Sequence, residues 1–320
     1  MNSCTRWIPS GDGFVKRAVA LPEPSANEVL IDVAAFGINR LDLELAKKAG
    51  ALRADATLGL EVSGTVAALG AGPSDLKIGD RVMALLKENG YADRAVAPAQ
   101  ATLPLPDRLS FEQGAALPEA LFTAWLNLVE IGRLKAGEAV LIHHATGGVG
   151  IVAAQLAKAL GASVQTTTGK PENLKRLGEL GLTGMTTGEF DQAPDSKGSF
   201  DLILDIRGAE SFDANLRLLR TGGRLALIDS YSGEEARIDI GRLLDNSLSV
   251  HGSLLRPRSL EQKGVTAAGI RARGLPHVAN GEIDPVIDQV LGGDDLAQAH
   301  ARMAANAHFG KLVVSLRRPG

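Results

Sequence analysis

Residues 139–158, AVLIHHATGGVGIVAAQLAK, constrain the fold of this chain more than any other stretch. Val140 to His144 form a run of apolar residues and histidines of strand length, and Val149, Val152, Ala153, Leu156 and Ala157 then recur with helical period. Between them lies a glycine turn. Ala145-x-Gly147-x-x-Gly150 has the spacing of the G-x-G-x-x-G dinucleotide fingerprint, with Ala in the first place. In that reading Gly147 lets the backbone approach a pyrophosphate and Gly150 lets helix and strand pack closely. Amides at the helix N-terminus, with the helix dipole, meet the phosphate charge. Strand, turn and helix in the required order predict a dinucleotide-binding unit rather than a plain turn of an α/β protein.

The chain's 320 residues, 45% hydrophobic, suffice for about two domains with cores of their own. Its 34 Lys plus Arg against 37 Asp plus Glu argue against a nucleic-acid or anionic-membrane surface as the main partner. No segment reaches the roughly 18 uninterrupted apolar residues of a membrane span. MNSCTRWIPSGDG at the start lacks the apolar run of a secretory signal, so the expected location is the cytoplasm. A single cysteine, Cys4, excludes an internal disulfide and a Cys-cluster zinc site.

Short β-branched stretches, Val29 to Val33 and Glu61 to Leu69, alternate with turns such as residues 70–80 and continue through Asp80 to Leu85 and Ala92 to Ala97. That texture predicts a small, mostly antiparallel β domain. Ser110 followed by Gln113 has capping-box spacing, and a new domain is expected from about Leu117. From there strands (Val140 to His144, Ser163 to Thr167, Phe200 to Asp205, Arg224 to Asp229, Leu248 to Gly252) alternate with helices. Such alternation predicts a doubly wound parallel sheet, and hence an α/β protein. A long helical stretch follows from Ser259 to Asn280, and Pro285 to Leu291, Asp294 to Asn306 and Lys311 to Leu316 close the chain.

An acid at the end of the second strand of such a fold binds the ribose 2′-hydroxyl of NAD, whereas its absence beside a basic residue favours NADP. About 20 residues past the glycine turn stand Thr166, Thr167, Thr168, Gly169 and Lys170, with no acid among them. Lys170, with Arg176 beyond it, is the candidate partner of a 2′-phosphate; the alternative is a solvated loop lysine. Residues 1–116 contain no histidine and only Cys4, so a catalytic zinc with its three ligands is not expected there. His143, His144 and His251 lie on expected strands and read as satisfied core or strand-end groups. No G-x-S-x-G elbow occurs. Hydride transfer, whose chemistry belongs to a cofactor, is what these residues leave.

Taken together, the stretches resemble the medium-chain dehydrogenase/reductase superfamily, and within it the zinc-free quinone oxidoreductases related to zeta-crystallin. Gly137-Glu138-x-x-Leu141 and Gly147-Gly148-x-Gly150-x4-Gln155-x2-Lys158 follow that group's nucleotide-loop motif, with Thr146 departing from the usual small residue. GDRVMAL (79–85), GYADRAV (90–96), LPLPDRLSFEQGAALPEALFTAW (103–125) and HFGKLVV (308–314) look like further landmarks. Where zinc-dependent relatives carry a Cys and a His, this chain has Phe36-Gly37-Ile38-Asn39 and Gly59-Leu60-Glu61. Asn39 and Asp42 match the N-x-x-D segment of quinone reductases, and residues 252–259 resemble the branch containing the tumour-suppressor-induced quinone oxidoreductase. Departures include Glu44, where an aromatic is frequent, and the absence of the Ser and Tyr common near the 2′-phosphate.

The resemblance implies a GroES-like catalytic domain, residues 1–116 and 283–320, and a Rossmann domain, residues 117–282. It implies NADP(H) held by Ala145, Thr146, Gly147, Gly148, Val149, Gly150, Thr167, Lys170, Leu254, Leu255 and Lys311, with Asn39 and Thr123 as the catalytic candidates. Asn39 would orient the nicotinamide ribose or substrate and Thr123 would face the same region, in a cleft between domains whose walls include Glu61. The alternatives are structural: Asn39 in a turn and Thr123 bonded to the preceding helical turn. The implied activity is reduction of a quinone or enone acceptor without metal. A quinone accepts hydride readily and its anion takes a proton from water, so a dedicated acid is not compulsory and geometry is the main contribution. The alternatives are a 2-enoyl or alkenal double-bond reductase and a non-catalytic NADPH-binding sensor or structural protein. Association as a homodimer through the edge strand near Leu248 to Gly252 is also implied.

Overall fold

The computed structural model describes residues 3–11, 13–50, 58–72, 75–192 and 198–316. Residues 73 and 74 of the expected turn at 70–80 lie outside that set. The chain opens with a hairpin, β1 (Ser3–Ser10) and β2 (Gly13–Ala20), followed by β3 (Glu28–Ile38), helix α1 (Arg40–Gly50), β4 (Glu61–Leu69), β5 (Arg81–Leu85), β6 (Arg94–Pro98) and β7 (Thr102–Pro104). Helices α2 (Phe111–Ala115) and α3 (Pro118–Trp125) come next, α3 continuing into a π-helical turn at Leu126–Ile131. The expected capping box is formed, with Ser110 accepting from Gln113 N and Gln113 reaching back to Ser110 N.

An alternating segment follows: β8 (Ala139–Ile142), α4 (Gly148–Ala159), β9 (Ser163–Thr168), α5 (Asn173–Glu179), β10 (Thr183–Thr186), α6 (Thr187–Gln192), β11 (Phe200–Asp205), α7 (Ala209–Leu218), β12 (Leu219–Leu227), α8 (Ile240–Asp245) and β13 (Ser249–Gly252). The chain ends with α9 (Leu260–Gly269), a π-helical turn, α10 (Leu275–Ala279), β14 (Ile287–Gly292), α11 (Leu296–Ala304) and β15 (Lys311–Ser315).

Two compact units result. In the first, β14-β15-β3-β4-β5-β7 form a sheet, with β6 also pairing β3. The sheet is antiparallel except for the β14–β15 pair. It encloses a core around Ile31, Phe36, Val62, Val82, Tyr91 and Leu312. In the second, six parallel strands run in the order β10-β9-β8-β11-β12-β13, the doubly wound arrangement the alternation predicts. Its core joins Leu141, Ile203 and Leu225 of the strands to Phe212 and Leu216 of α7. No helix among the described residues is long and apolar enough to cross a membrane.

The units differ from the expected domains by a few residues at two boundaries, Glu119 closing the first segment of the first unit and Asp284 the second unit, and by one larger segment. Arg258–Ala279 groups with the first unit, and only Asn280–Asp284 of the later chain joins the second. The reason is packing of α9 on the turn at Ala99–Ala101, where a Cβ on Gly264 would stand 3.1 Å from Gln100 Oε1. The sequence reading names neither strands β1, β2, β7 and β10 nor helix α1. Strand β2 is mostly exposed and β10 half-buried or exposed, so neither shows apolar alternation, and α1 carries only a short amphipathic pattern.

Close approach of strands accounts for Gly37. The registers Phe36↔Val62 and Val313↔Gly37 put it between β4 and β15, and a Cβ there would stand 2.3 Å from Glu61 Oε1 and 2.4 Å from Ala115 O. Gly37→Ala is expected to lower stability by about 1–3 kcal/mol, read as a lower urea midpoint with unchanged slope.

Candidate functional site

The second unit holds the glycine turn. Strand β8 ends at Ile142, two residues before the sequence suggests, and His144 adopts a left-handed backbone (φ 51°) that turns the chain toward α4. Non-glycine residues reach this region at a cost, histidine more readily than most. Gly147 caps α4 without a side chain, and a Cβ placed on it would have nothing within 4 Å. Open ground therefore lies over the first-turn amides of α4, which have no intrahelical partner. A Cβ on Gly150 would stand 2.7 Å from Ala145 Cα, so that glycine is required for the helix to seat against the turn. This donor set fits a pyrophosphate. Ala145 is buried, whereas Thr146, Gly147, Gly148 and Val149 are half-buried. Nothing in the structure explains the choice of threonine at 146. Gln155 and Lys158, the motif's other landmarks, anchor α4: Gln155 Oε1 accepts from Asp284 N (3.0 Å) and Lys158 Nζ donates to Gly181 O (3.0 Å).

Beneath the turn runs a chain of buried polar groups whose directions are fixed by its far end. Asp205, an acceptor when ionised, receives Asn215 Nδ2 and Ser211 Oγ, each at 2.8 Å. The Asn215 carbonyl therefore faces His143 Nε2 (2.8 Å), which donates, leaving Nδ1 to accept from Thr167 Oγ1 at 3.0 Å. Thr167 in turn accepts from His144 N (3.2 Å). Burial lowers the pKa of His143, in keeping with the neutral tautomer this chain needs. Thr167, expected to touch cofactor, thus turns its hydroxyl inward to brace the turn.

At the end of β9 the residues are Thr168, Gly169 and an exposed Lys170, whose N–H donates to Thr168 Oγ1 at 3.2 Å. A Cβ on Gly169 would lie 3.9 Å from His144 Cε1. Thr123 is buried, and its carbonyl accepts from Asn127 Nδ2 (2.9 Å); Asn127 Oδ1 accepts from Ser253 Oγ (2.7 Å), tying the end of β13 to the helix. Of the two leucines that follow, Leu255 is buried and Leu254 is 68% exposed.

The first unit gathers Asn39, Glu61 and Lys311 at one end of β3, β4 and β15. Glu61 is sealed from solvent: Oε1 accepts from Asn39 Nδ2 (2.8 Å) and Lys311 Nζ, and Oε2 from Glu119 N (2.9 Å). Lys311 also donates to Asn39 Oδ1 at 2.7 Å. Asn39 is the N-cap of α1, but Asp42 performs the capping, with Oδ2 on Asn39 N and Oδ1 on Gly59 N, both at 2.9 Å. The N-x-x-D segment is thus half helix cap and half oriented amide. Burial lifts the Asp42 carboxyl to about 6, and burial with the neighbouring Glu61 charge lifts Glu119 to about 7. Three histidines from beyond residue 116, His277, His300 and His308, belong to this unit. His300 Nε2 lies 3.0 Å from the buried Tyr91 hydroxyl, and burial pushes its pKa down to about 4.

The first unit matches the model of the alcohol dehydrogenase GroES-like domain over residues 25–107, and residues 148–267 match that of the zinc-binding dehydrogenases. The chain is 33% identical over 308 residues to a quinone oxidoreductase of Sus scrofa, covering 93% of this chain and 92% of that one. The chain belongs to the medium-chain dehydrogenase/reductase superfamily, in its quinone oxidoreductase family. Among solved structures it is similar to the quinone oxidoreductase of Thermus thermophilus, also solved with NADPH (TM-score 0.79, 32% identity, 98% of this chain and 100% of that one). It is also similar to the CurK enoyl reductase (TM-score 0.81, 25% identity, 98% of each). Despite the second model's name, no group of three His, Cys, Asp or Glu able to hold a metal stands among the described residues.

Sequence reasoning missed Glu119, the Tyr91–His300 contact and the Asn215–Asp205 chain. A signal exists for the last, since Ser211 and Asn215 recur at helical spacing after a strand-end acid; the others pair residues far apart in sequence.

His300 sets a pH test. Its folded pKa of about 4 lies below the ordinary 6.5, so the unfolded chain binds the proton more tightly and stability falls as pH drops from about 6.5 toward 4. His300→Gln, which can still donate to Tyr91, should remove about 1–2 kcal/mol of the loss between pH 7 and pH 5, measured by urea unfolding at both.

Proposed function

We propose that this protein is a zinc-independent NADPH-dependent oxidoreductase that reduces a quinone or similar conjugated carbonyl. The observation that carries the cofactor assignment is the end of β9, where Thr168, Gly169 and Lys170 stand in place of an acid, beside an open helix N-terminus. NADPH, when bound, supplies the hydride. The chain's own residues hold and orient: α4 amides take the pyrophosphate, Lys170 the 2′-phosphate, and Leu254 and Leu255 the nicotinamide end. Asn39, its amide fixed by Glu61 and Lys311, orients nicotinamide ribose or acceptor. Lys311 acts through Asn39 in this reading. The donor chemistry of the first unit supports metal independence, because Glu61 is bonded to an ammonium and two N–H groups. Likeness to quinone oxidoreductases supports the acceptor class. The CurK likeness and the presence of a half-buried acid, Glu119, favour a second reading, reduction of an enoyl or alkenal double bond.

NADPH oxidation is to be measured side by side with 1,2-naphthoquinone, 1,4-benzoquinone, a crotonyl thioester and hexenal. Quinones are expected to turn over faster; enal turnover with silent quinones would overturn the choice. In the same preparation Lys170→Ala should weaken NADPH binding about tenfold while leaving NADH binding unchanged. Equal NADPH affinity in the variant removes Lys170 from the 2′-phosphate site.

We also propose a homodimer formed through β13, the last strand of the six-stranded sheet, paired on one side with β12 and with no second strand beside it among the described residues. Light scattering should give twice the chain mass of 33.4 kDa, and a monomer at micromolar concentration refutes it.

A further inference from the structure

His144 and Tyr231 stand together at the carboxyl end of the six-stranded sheet, and the buried polar chain beneath the glycine turn uses neither ring. In the order β10-β9-β8-β11-β12-β13 the chain winds outward from β8 to one side and from β11 to the other, so the crevice of a doubly wound sheet opens between those two strands. His144 follows the end of β8 by two residues. Tyr231 comes from the loop after β12, but that loop folds back onto the end of β11. There Tyr231 N donates to Ile206 O (3.4 Å), and Ser232 N and Oγ both donate to Arg207 O (2.7 Å each). The two rings therefore meet across the crevice, their planes 11° from parallel and their centroids 6.5 Å apart.

The successive histidines differ in what their rings do. His143 has both nitrogens engaged, whereas the ring of His144 makes no hydrogen bond among the described residues. Glycine would adopt the left-handed backbone at 144 without cost, so an imidazole is kept there against a backbone penalty. Burial and the Arg207 charge lower its pKa and keep the ring neutral. Beside it, at the end of β9, the nearest atom that a Cβ on Gly169 would meet is His144 Cε1, at 3.9 Å. A dinucleotide with its pyrophosphate on α4 and its 2′-phosphate by Lys170 carries its adenosine across this ground. Parallel neutral rings suit a flat base, which stacks on them whatever its hydrogen-bonding edge.

We propose that His144 and Tyr231 form the wall on which the adenine of the dinucleotide stacks. This rests on the reading that the glycine turn holds NADPH. Adenine is common to NADPH and NADH, so the wall adds affinity for both and leaves the choice between them to Lys170.

Tyr231 is 45% exposed on a loop, so its replacement spares the core. Titration calorimetry is to compare wild type, Tyr231→Ala and Tyr231→Phe with NADPH, NADH and adenosine 2′,5′-bisphosphate. Tyr231→Ala should bind each of them about tenfold more weakly, and Tyr231→Phe, which keeps the ring, should match wild type. NMR of ring-labelled histidine reads the other half of the wall. The His144 Cε1–H signal, assigned by its loss in His144→Gln, should move upfield with adenosine 2′,5′-bisphosphate, under the ring current of the base, and not with inorganic pyrophosphate. An unchanged bisphosphate affinity in Tyr231→Ala, or an unmoved His144 signal, overturns the wall and leaves NADPH binding standing. An equal loss in Tyr231→Phe also overturns it, since a hydroxyl contact then replaces the stack. A wild type that binds neither cofactor sinks the proposed function and the wall with it.

Discussion

The ion pair between Lys311 and Glu61 is the constraint on which the first unit depends. Both side chains are buried, 5% and 0% exposed, and they come from strands 250 residues apart in sequence. Removing one partner leaves a buried charge uncompensated, a loss of the order of 3–5 kcal/mol in comparable cases. The pair therefore couples closure of the sheet by β15 to the local arrangement at the end of β3. Two sequence choices follow from it. Residue 37 must be glycine because the Glu61 carboxylate occupies the space of a side chain, and Asn39 is held at both ends of its amide, leaving helix capping to Asp42.

The dinucleotide unit meets a different requirement: a turn must be rigid while keeping its amides uncovered. Covering them with a capping side chain would satisfy the helix but close the phosphate site. Gly147 leaves them open, and rigidity is supplied from below by Thr167, His143, Asn215 and Asp205. Because His143 must be neutral, acid weakens this support.

The fold is largely legible in the sequence because its strongest elements are local. The stretch at 139–158 predicts strand, turn and helix in order, and Phe200 to Asp205 is found as a strand with the expected bounds. The close packing that the motif predicts at Gly150 is found, and the space around Gly147 is open. What is not legible is pairing at long range. Lys311 stands out only through resemblance, Glu61 only as a wall residue, and Glu119 not at all, since nothing in LPEALFTAW says that a carboxylate from β4 accepts its N–H. The placement of residues 258–279 escapes for a related reason: helical period indicates an apolar face and is silent about which unit receives it.

The two units use one device at their candidate sites. In each, a buried carboxylate receives the Nδ2 of an asparagine, Glu61 from Asn39 and Asp205 from Asn215, at 2.8 Å in both. An ionised carboxylate cannot donate, so the amide has no alternative orientation and its carbonyl must point the other way. There it accepts a hydrogen bond from Lys311 in the first unit and His143 in the second. The difference between these two donors decides the chemistry of each place. Lys311 brings an ammonium that pairs with Glu61. His143 brings a neutral ring, so the turn above it is set by hydrogen bonds. Orientation is fixed identically in both, by an ammonium within an ion pair in the first unit and by a neutral imidazole in the second.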